Sequence, residues 1–150
     1  MKKQRFKLTP ASYLVLIKNS EVLLLRRYNT GYNDGNYSLV AGHLDGQETF
    51  RQAMVREAKE EAGVNLNPND LDIVHVMHRQ ENFSDVGRRE RIDIFIRPRK
   101  WRGKPQNLEP EKCDDVNWFP LNSLPKNTIP YIKQVLEHIH NKVFYSEFGF

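Results

Sequence analysis

The stretch from Gly42 to Val64, GHLDGQETFRQAMVREAKEEAGV, constrains this chain more than any other. It begins with a loop that holds two glycines, which suit a tight loop because glycine accepts positive φ and lets the backbone approach other groups closely. It continues with helical periodicity and stops at Gly63, a residue type typical of a helix C-terminus. The sequence therefore predicts a helix from about Thr49 to Ala62.

The predicted helix has an acidic face beside an apolar stripe. Residues Glu57, Glu60 and Glu61 are neighbours at i, i+3, i+4 spacing, within a sector of roughly 100°. Carboxylates this close repel one another, so a fold needs a reason to gather them. Mg²⁺ supplies one, because it prefers oxygen ligands and completes its shell with water and substrate phosphate. The stripe that we expect to be buried consists of Phe50, Met54, Ala58 and Ala62.

Arg56 lies beside this acidic face, eight residues after Glu48. A guanidinium can hold a carboxylate through two hydrogen bonds. We interpret Arg56 as a brace that fixes one of the glutamates, with Glu48 as a candidate, rather than as a substrate contact.

This pattern of Gly42, Glu48 and the segment REAKEEAGV from Arg56 to Val64 resembles the Nudix box at every defined position. Two flanking segments, residues 28–49 and 108–121, are similar to those of small MutT-like members and nucleotide-cleaning relatives. The resemblance implies an α/β protein with the Nudix fold, an α/β/α sandwich with a mixed sheet. Strands before and after one central helix, with a second helix near the C-terminus, favour the same layered architecture.

The resemblance also implies the reaction, which is Mg²⁺-dependent attack of water on a nucleoside diphosphate linked to another group. A nucleoside triphosphate would give a monophosphate and pyrophosphate, and Mn²⁺ would substitute for Mg²⁺. By position, Glu57, Glu60 and Glu61 correspond to the metal-binding glutamates of the box, and a backbone carbonyl near Ala41 or Gly42 often joins them. We expect Glu57 to be the general base, although the family varies in which glutamate has this role.

Members of this family often add one more acid from a later loop. We favour Glu111 as that further metal ligand. The alternative is that each of these acids is an ordinary surface residue. The full set of candidates is Glu109, Glu111, Asp114 and Asp115.

Substrate contacts are less marked in the sequence. Arg27 is the best placed, at a strand end ahead of the glycine loop. His43 follows Gly42 directly and either contacts substrate or caps the loop, and Tyr37 is an aromatic candidate. The alternative is that the aromatic residues belong to the core and the arginines to the surface. Other candidates are Tyr13, Arg26, Tyr32, Phe83, Arg91 and Trp118.

Charge leaves a second class of function open. The net charge is +4, and eight Lys/Arg against two acids lie between Arg88 and Lys104. Such a run could attract nucleic acid or polyphosphates, but charges also protect an edge strand from aggregation. We expect a small nucleoside polyphosphate as the partner and no nucleic acid. The alternatives are hydrolysis of ADP-ribose, a sugar-nucleotide or a pterin triphosphate, and a non-catalytic nucleotide- or RNA-binding module. The intact acid set favours an enzyme.

Length and composition predict a single domain over residues 1–150. The lone Cys113 excludes an internal disulfide and fits a reducing compartment. The apolar run from Tyr13 to Ile17 is too short for a signal-peptide core, and no run is long enough to cross a bilayer. We therefore expect a cytoplasmic protein without a membrane partner. The sequence leaves the oligomeric state open, and a homodimer is one candidate.

The rest of the chain predicts strands around the central helix and a second helix over residues 130–142. A hairpin of residues 11–18 and 21–28 turns at Asn19-Ser20, and His75 and His78 lie on opposite strand faces. The aromatic tail FYSEFGF is expected to dock on the body. Further predicted strands cover residues 5–8, 37–40, 71–80, 91–97 and 116–119, with a loop over 82–89 and a helical turn over 122–124.

Overall fold

The computed structural model describes residues 1–83 and 87–150. Within these residues the chain forms nine strands and two α-helices, and a 3-10 turn at Pro68–Asp70 follows the first helix. The elements are β1 (Thr9–Leu14), β2 (Ile17–Lys18), β3 (Glu21–Arg27), β4 (Tyr37–Ser38), β5 (Ala41–His43), α1 (Phe50–Ala62), β6 (Leu71–Phe83), β7 (Gly87–Pro98), β8 (Cys113–Pro120), α2 (Pro130–His140) and β9 (Tyr145–Phe148).

The strands form two sheets. The larger is mixed, in the order β5-β1-β7-β6-β9, with parallel pairs β1–β7 and β6–β9 and antiparallel pairs β1–β5 and β6–β7. In the smaller sheet, β3 pairs with β2, β4 and β8, all antiparallel. The chain crosses from one sheet to the other between Leu14 and Ile17, where Leu23 N donates to Leu16 O over 3.0 Å.

Two hydrophobic cores lie on opposite faces of these strands, because strand side chains alternate between faces. On β1, Tyr13 enters the core beneath α2, whereas Leu14 enters the core beneath α1. On β3, Val22 and Leu23 separate in the same way. Helix, strands and helix therefore form the α/β/α sandwich expected from the sequence.

Helix α1 begins and ends with local signals. Thr49 Oγ1 accepts from Gln52 N over 3.1 Å, and Gln52 Oε1 accepts from Thr49 N over 2.8 Å, which is a complete capping box. At the other end Gly63 adopts φ 67° and its N–H donates to the Ala58 and Lys59 carbonyls. The helix buries Ala53, Met54, Ala58 and Ala62, while Phe50 is only partly buried.

Several predicted elements differ in the structure. Residues 5–8 form no strand, and β1 begins at Thr9. The predicted hairpin is limited to β2 and β3, with positive φ at Asn19 and Ser20, because β1 pairs with β7 in the other sheet. Residues 122–124 form a turn and bend instead of a helical turn.

The predicted loop over 82–89 is mostly strand. β6 continues to Phe83 and β7 begins at Gly87, so cross-strand pairing replaces the loop there, and residues 84–86 lie outside the described residues. The pairing of β6 with β7 has a register shift between Ile73 and His75. The C-terminal tail docks as expected, because β9 pairs with β6.

The basic residues between Arg88 and Lys104 do not form one continuous surface. Arg88 and Arg89 lie at the start of β7, whereas Arg97 and the cations after it lie at or beyond its end. Arg91 between them is buried, and Arg99 pairs with Asp72. A strand rises about 3.3 Å per residue, so roughly 30 Å separates the two ends. In the described part of the chain, no helix is long and apolar enough to span a bilayer.

Candidate active site

The close approach of α1 to β5 is made at a glycine. The Glu57 carboxyl group lies against the Cα of Gly42, and a Cβ added to Gly42 would overlap its Cδ and Oε1 atoms. Any side chain at this position would displace the carboxylate. The first glycine of the loop is therefore needed for space, and it brings a helix glutamate to the strand backbone.

Arg56 joins the helix to the loop before it. Its Nη2 donates to Glu48 Oε1 over 2.7 Å and to His43 O over 3.3 Å, and its Nη1 donates to Glu57 Oε1 over 2.7 Å. Asp45 N also donates to Glu48 Oε1, over 2.8 Å. The Arg56 hydrogen bond, assisted by this N–H, lowers the pKa of the Glu48 carboxyl group. The expected contact between Arg56 and Glu48 is present.

The remaining box glutamates differ in their surroundings. Burial raises the pKa of Glu61 to about 8, and the neighbouring charges of Glu57 and Glu109 add to the effect, while a hydrogen bond of 3.1 Å from Ala41 N opposes it. Burial also raises the pKa of Glu57, against the opposing effect of Arg56. Glu60 is exposed, with its carboxylate 3.7 Å from Arg56 Nη1. The carboxylates thus repel one another around Gly42.

The later acid that the structure brings to this cluster is Glu109. It lines the cavity next to Glu61, and its charge raises the pKa values of Glu57 and Glu61. Glu111, the acid favoured from the sequence, is exposed and does not belong to the described cavity lining. The reason is local: Asn107 Oδ1 accepts from Glu109 N over 3.2 Å, and the following turn carries Glu111 outward.

The donor chemistry of this cluster fits a hard divalent cation. Its acids offer only carboxylate oxygens, and the glycine loop adds backbone carbonyls nearby. In residues 1–83 and 87–150, however, no group of three or more His, Cys, Asp or Glu side chains already converges as metal ligands do. Arg56 holds Glu57, and Ala41 N holds Glu61, so the carboxylates would have to turn toward a common ion.

A cavity of about 590 Å³ opens beside Gly42 and runs between the acidic cluster and a group of tyrosines. Its lining combines opposite charges with aromatic rings, a composition suited to a ligand that carries phosphates and a planar base. The lining includes Arg27, Arg91, Lys112, Glu61, Glu109, Tyr13, Tyr32 and Tyr131.

Two arginines flank one of these tyrosines. The guanidinium carbon of Arg27 lies 5.1 Å from the ring centroid of Tyr32, and that of Arg91 lies 5.9 Å from it. Arg27 Nε also donates to Tyr32 O over 2.6 Å. The loop between β3 and β4 is stabilised by Asp34, whose carboxylate accepts from the backbone N–H groups of Thr30 and Gly31. The structure thus brings Arg27 into the cavity.

The other two predicted substrate contacts have different positions. His43 lines the cavity, and its Nε2 lies 3.2 Å from Arg91 Nη1. Burial and the Arg91 charge lower the pKa of His43. Tyr37 is 7% exposed, donates to Asp115 Oδ2 over 2.5 Å and packs edge-on against Phe119, so it is not among the described lining residues.

Among the lining residues that sequence reasoning overlooked are Tyr131 and Lys112. Tyr131 belongs to the apolar stripe of α2, where a buried aromatic residue is indistinguishable from core. Lys112 lies beside the candidate acids, and its charge in that segment was the signal that could have identified it. Both line the cavity in the fold, although they lie far apart in the sequence.

The family model of the NUDIX domain matches residues 7–139. The chain belongs to the Nudix family of hydrolases, which act on nucleoside diphosphate derivatives. This agrees with a fold and a site in which Glu61 of the helix and Glu109 line a cavity rich in cations and tyrosines.

Curated relatives differ in length and in named activity. The chain is 36% identical over 144 residues to an ADP-ribose pyrophosphatase of Methanocaldococcus jannaschii, covering 95% of this chain and 80% of the relative. It is 27% identical over 138 residues to an oxidized purine nucleoside triphosphate hydrolase of Danio rerio, covering 80% and 83%. It is 25% identical over 119 residues to the NAD-capped RNA hydrolase NudC of Stutzerimonas stutzeri, of which it spans only 39%.

Solved structures show the same fold. The MutT NUDIX hydrolase from Burkholderia pseudomallei superposes with a TM-score of 0.76 at 20% identity, covering 88% of this chain and 98% of the other.

Proposed function

We propose that this protein hydrolyses a nucleoside triphosphate to a nucleoside monophosphate and pyrophosphate, with Mg²⁺ as cofactor and Mn²⁺ as a substitute. The supporting observation is one cavity whose lining joins Gly42, Glu61 and Glu109 to the cations and tyrosines. The glutamates can bind a metal ion that contacts the phosphates, and the cationic side chains can bind the phosphates directly. The tyrosine rings suit a nucleobase.

Substrate binding uses both kinds of lining. Arg27, Arg91 and Lys112 hold the phosphates, since charged N–H groups form the strongest hydrogen bonds to phosphate oxygens. His43, next to Arg91, adds a ring nitrogen at the same wall. The tyrosines offer faces on which a base can stack. Tyr37 contributes indirectly, by fixing Asp115 at the start of β8.

The cation would be held by Glu57, Glu60, Glu61 and Glu109, together with the Gly42 carbonyl. In this proposal Glu109 replaces Glu111, because Glu109 acts electrostatically on Glu57 and Glu61. When bound, Mg²⁺ neutralises charge on the phosphate oxygens.

Glu57 takes the proton from the attacking water. Arg56 donates to Glu57 Oε1 over 2.7 Å, so it orients the carboxylate and opposes the burial that raises its pKa. Arg56 is therefore a positioning residue for the base, as well as the link between α1 and the glycine loop.

A second candidate substrate is ADP-ribose. It is favoured by the 36% identity to a relative named ADP-ribose pyrophosphatase, which extends over 95% of this chain. The reaction would be the same hydrolysis of a diphosphate, but its products would be AMP and ribose 5-phosphate.

One experiment separates these reactions. The protein is incubated with Mg²⁺ and nucleoside triphosphates or ADP-ribose, and pyrophosphate, phosphate and sugar phosphate are measured separately. We expect pyrophosphate from triphosphates, and Glu60→Gln and Glu61→Gln should each lower kcat by about 100-fold or more. Glu137→Gln, an exposed change on α2, is the matched control. Ribose 5-phosphate as the main product would favour the second candidate.

Salt-sensitive RNA binding without turnover would instead support a binding module. The separation of the basic residues between the two ends of β7 argues against such a surface. We further propose a cytoplasmic location, supported by the free, buried thiol of Cys113. A single domain over residues 1–150 and a homodimer remain predictions.

A further inference from the structure

Behind the tyrosines of the cavity lies a fully buried ion pair. Arg79 of β6 and Asp93 of β7 are both 0% exposed, and Arg79 Nε donates to Asp93 Oδ2 over 2.6 Å. A second carboxylate, Glu81 Oε1, lies 2.7 Å from Arg79 Nη1. In the part of the chain that is described, neither Arg79 nor Asp93 lines the cavity.

The remaining face and donors of Arg79 are directed to tyrosines. Its Nη2 donates to the Tyr13 hydroxyl and its Nη1 to the Tyr32 hydroxyl, each over 3.2 Å. Its guanidinium carbon lies 3.9 Å from the ring centroid of Tyr131. These three tyrosines come from β1, the loop before β4 and α2, and all three line the cavity.

Stability alone does not explain this arrangement. A buried ion pair contributes little more than well-packed apolar residues would, because desolvation offsets the attraction between the charges. A planar guanidinium, in contrast, has donors in fixed directions and can orient several partners at once. The Tyr32 hydroxyl has two partners, since it accepts from Arg79 and also donates to Glu81 over 2.5 Å.

We propose that Arg79 is a positioning residue that fixes Tyr13, Tyr32 and Tyr131 in the orientation that binds the nucleoside part of the substrate. This rests on the proposed function, in which those rings face the base. Arg79 therefore affects the affinity for the nucleoside. The hydrolytic step depends on the acidic cluster of Glu57, Glu60, Glu61 and Glu109.

The test compares substrates with and without a nucleoside. Arg79→Lys keeps the charge but loses the planar set of donors. Ile96→Ala is the control, because Ile96 is fully buried in the other core, beneath α1, and its loss destabilises the fold without touching these tyrosines. For each, kcat and KM are measured with a nucleoside triphosphate and with inorganic tripolyphosphate, and binding of a nucleoside monophosphate is measured by calorimetry in EDTA.

With Arg79→Lys we expect KM for the nucleoside triphosphate to rise about tenfold at nearly constant kcat, and monophosphate binding to weaken equally. Kinetics with tripolyphosphate should change by less than about twofold. Ile96→Ala should lower Tm, but it should not change the KM for the nucleoside triphosphate relative to the KM for tripolyphosphate. Equal effects on both substrates, or unchanged monophosphate binding, would overturn the proposal.

If Arg79→Lys does not fold, a second variant tests the same proposal. Asp93→Asn keeps the shape of the ion pair and removes one charge, so we expect a smaller change in the same direction, about threefold in KM. No change in KM would overturn the proposal. Failure of the wild-type protein to hydrolyse any nucleotide would instead contradict the proposed function.

Discussion

At the scale of single residues, the site depends on the contact between Gly42 and the Glu57 carboxylate. We predict that Gly42→Ala lowers kcat by about 100-fold, since the added methyl group displaces Glu57 and a small misplacement of a reacting group is costly. Stability should change little, because the displaced atoms form the end of a side chain. Steady-state kinetics and thermal unfolding measure the two effects. A folded Gly42→Ala protein with normal kcat would contradict this role.

Glu109 and Glu111 provide a matched pair of tests two residues apart. We predict that Glu109→Gln lowers kcat at least tenfold, because Glu109 borders the cavity and interacts with Glu57 and Glu61. Glu111→Gln should leave kcat within about twofold, since Glu111 is exposed. The Mg²⁺ concentration for half-maximal rate should rise only in Glu109→Gln. The reverse result would restore the assignment made from the sequence.

At the scale of elements, α1 must begin at a defined residue for its glutamates to face Gly42. The capping box between Thr49 and Gln52 defines that start. We predict that Thr49→Ala lowers the free energy of unfolding by about 1 kcal/mol, because the N–H of Gln52 loses its acceptor. Urea denaturation measures the loss. Thr49→Ser keeps the hydroxyl and is the control, so an equal loss in both variants would show that the hydroxyl is not responsible.

β6 and β7 carry two arginines that contact tyrosines of the cavity. Arg91 on β7 reaches Tyr32 and His43, while Arg79 on β6 reaches the tyrosines from behind. Neither strand carries a carboxylate of the Nudix box. Changes in these strands should therefore affect substrate affinity before they affect the hydrolytic step.

At the scale of the whole molecule, the crowded carboxylates couple stability to pH. The folded-state pKa of Glu61 is about 8, above its ordinary value of 4.5, so the folded protein binds more protons than the unfolded chain between those values. Stability of the metal-free protein should therefore fall as pH rises through this window. We predict a decrease in Tm of at least about 3 °C between pH 6 and pH 8 in EDTA.

The same coupling predicts how Mg²⁺ stabilises the fold. Protons compete with the cation for Glu61, so the rise in Tm on adding Mg²⁺ should be larger at pH 8 than at pH 6. Differential scanning fluorimetry with and without EDTA measures it. Glu61→Gln should flatten the dependence on pH and reduce the effect of Mg²⁺. An equal Mg²⁺ effect at both pH values would contradict the role of Glu61.

Helix α1 and its acidic face were predictable because their signals are local. The spacing of Glu57, Glu60 and Glu61 and the stop at Gly63 follow from helix geometry over a few turns. Arg56 contacts Glu48 in the loop just before the helix, only eight residues away in sequence. The pairing of β2 with β3 followed from the turn residues between them. Patterns of this kind depend on neighbours in sequence, so the sequence by itself determined the family, the acidic helix and the layered fold.

Other features depended on contacts between distant segments, which only the tertiary structure decided. The position of Glu109, rather than Glu111, beside the cavity depends on how the loop before β8 turns. The pairing of β1 with β7 and the approach of Tyr131 to Arg79 join residues far apart in the chain. A buried arginine on a strand resembles a surface arginine in sequence, because its partners are supplied by other strands. The helix could therefore be predicted alone, whereas the cavity beside it required the whole fold.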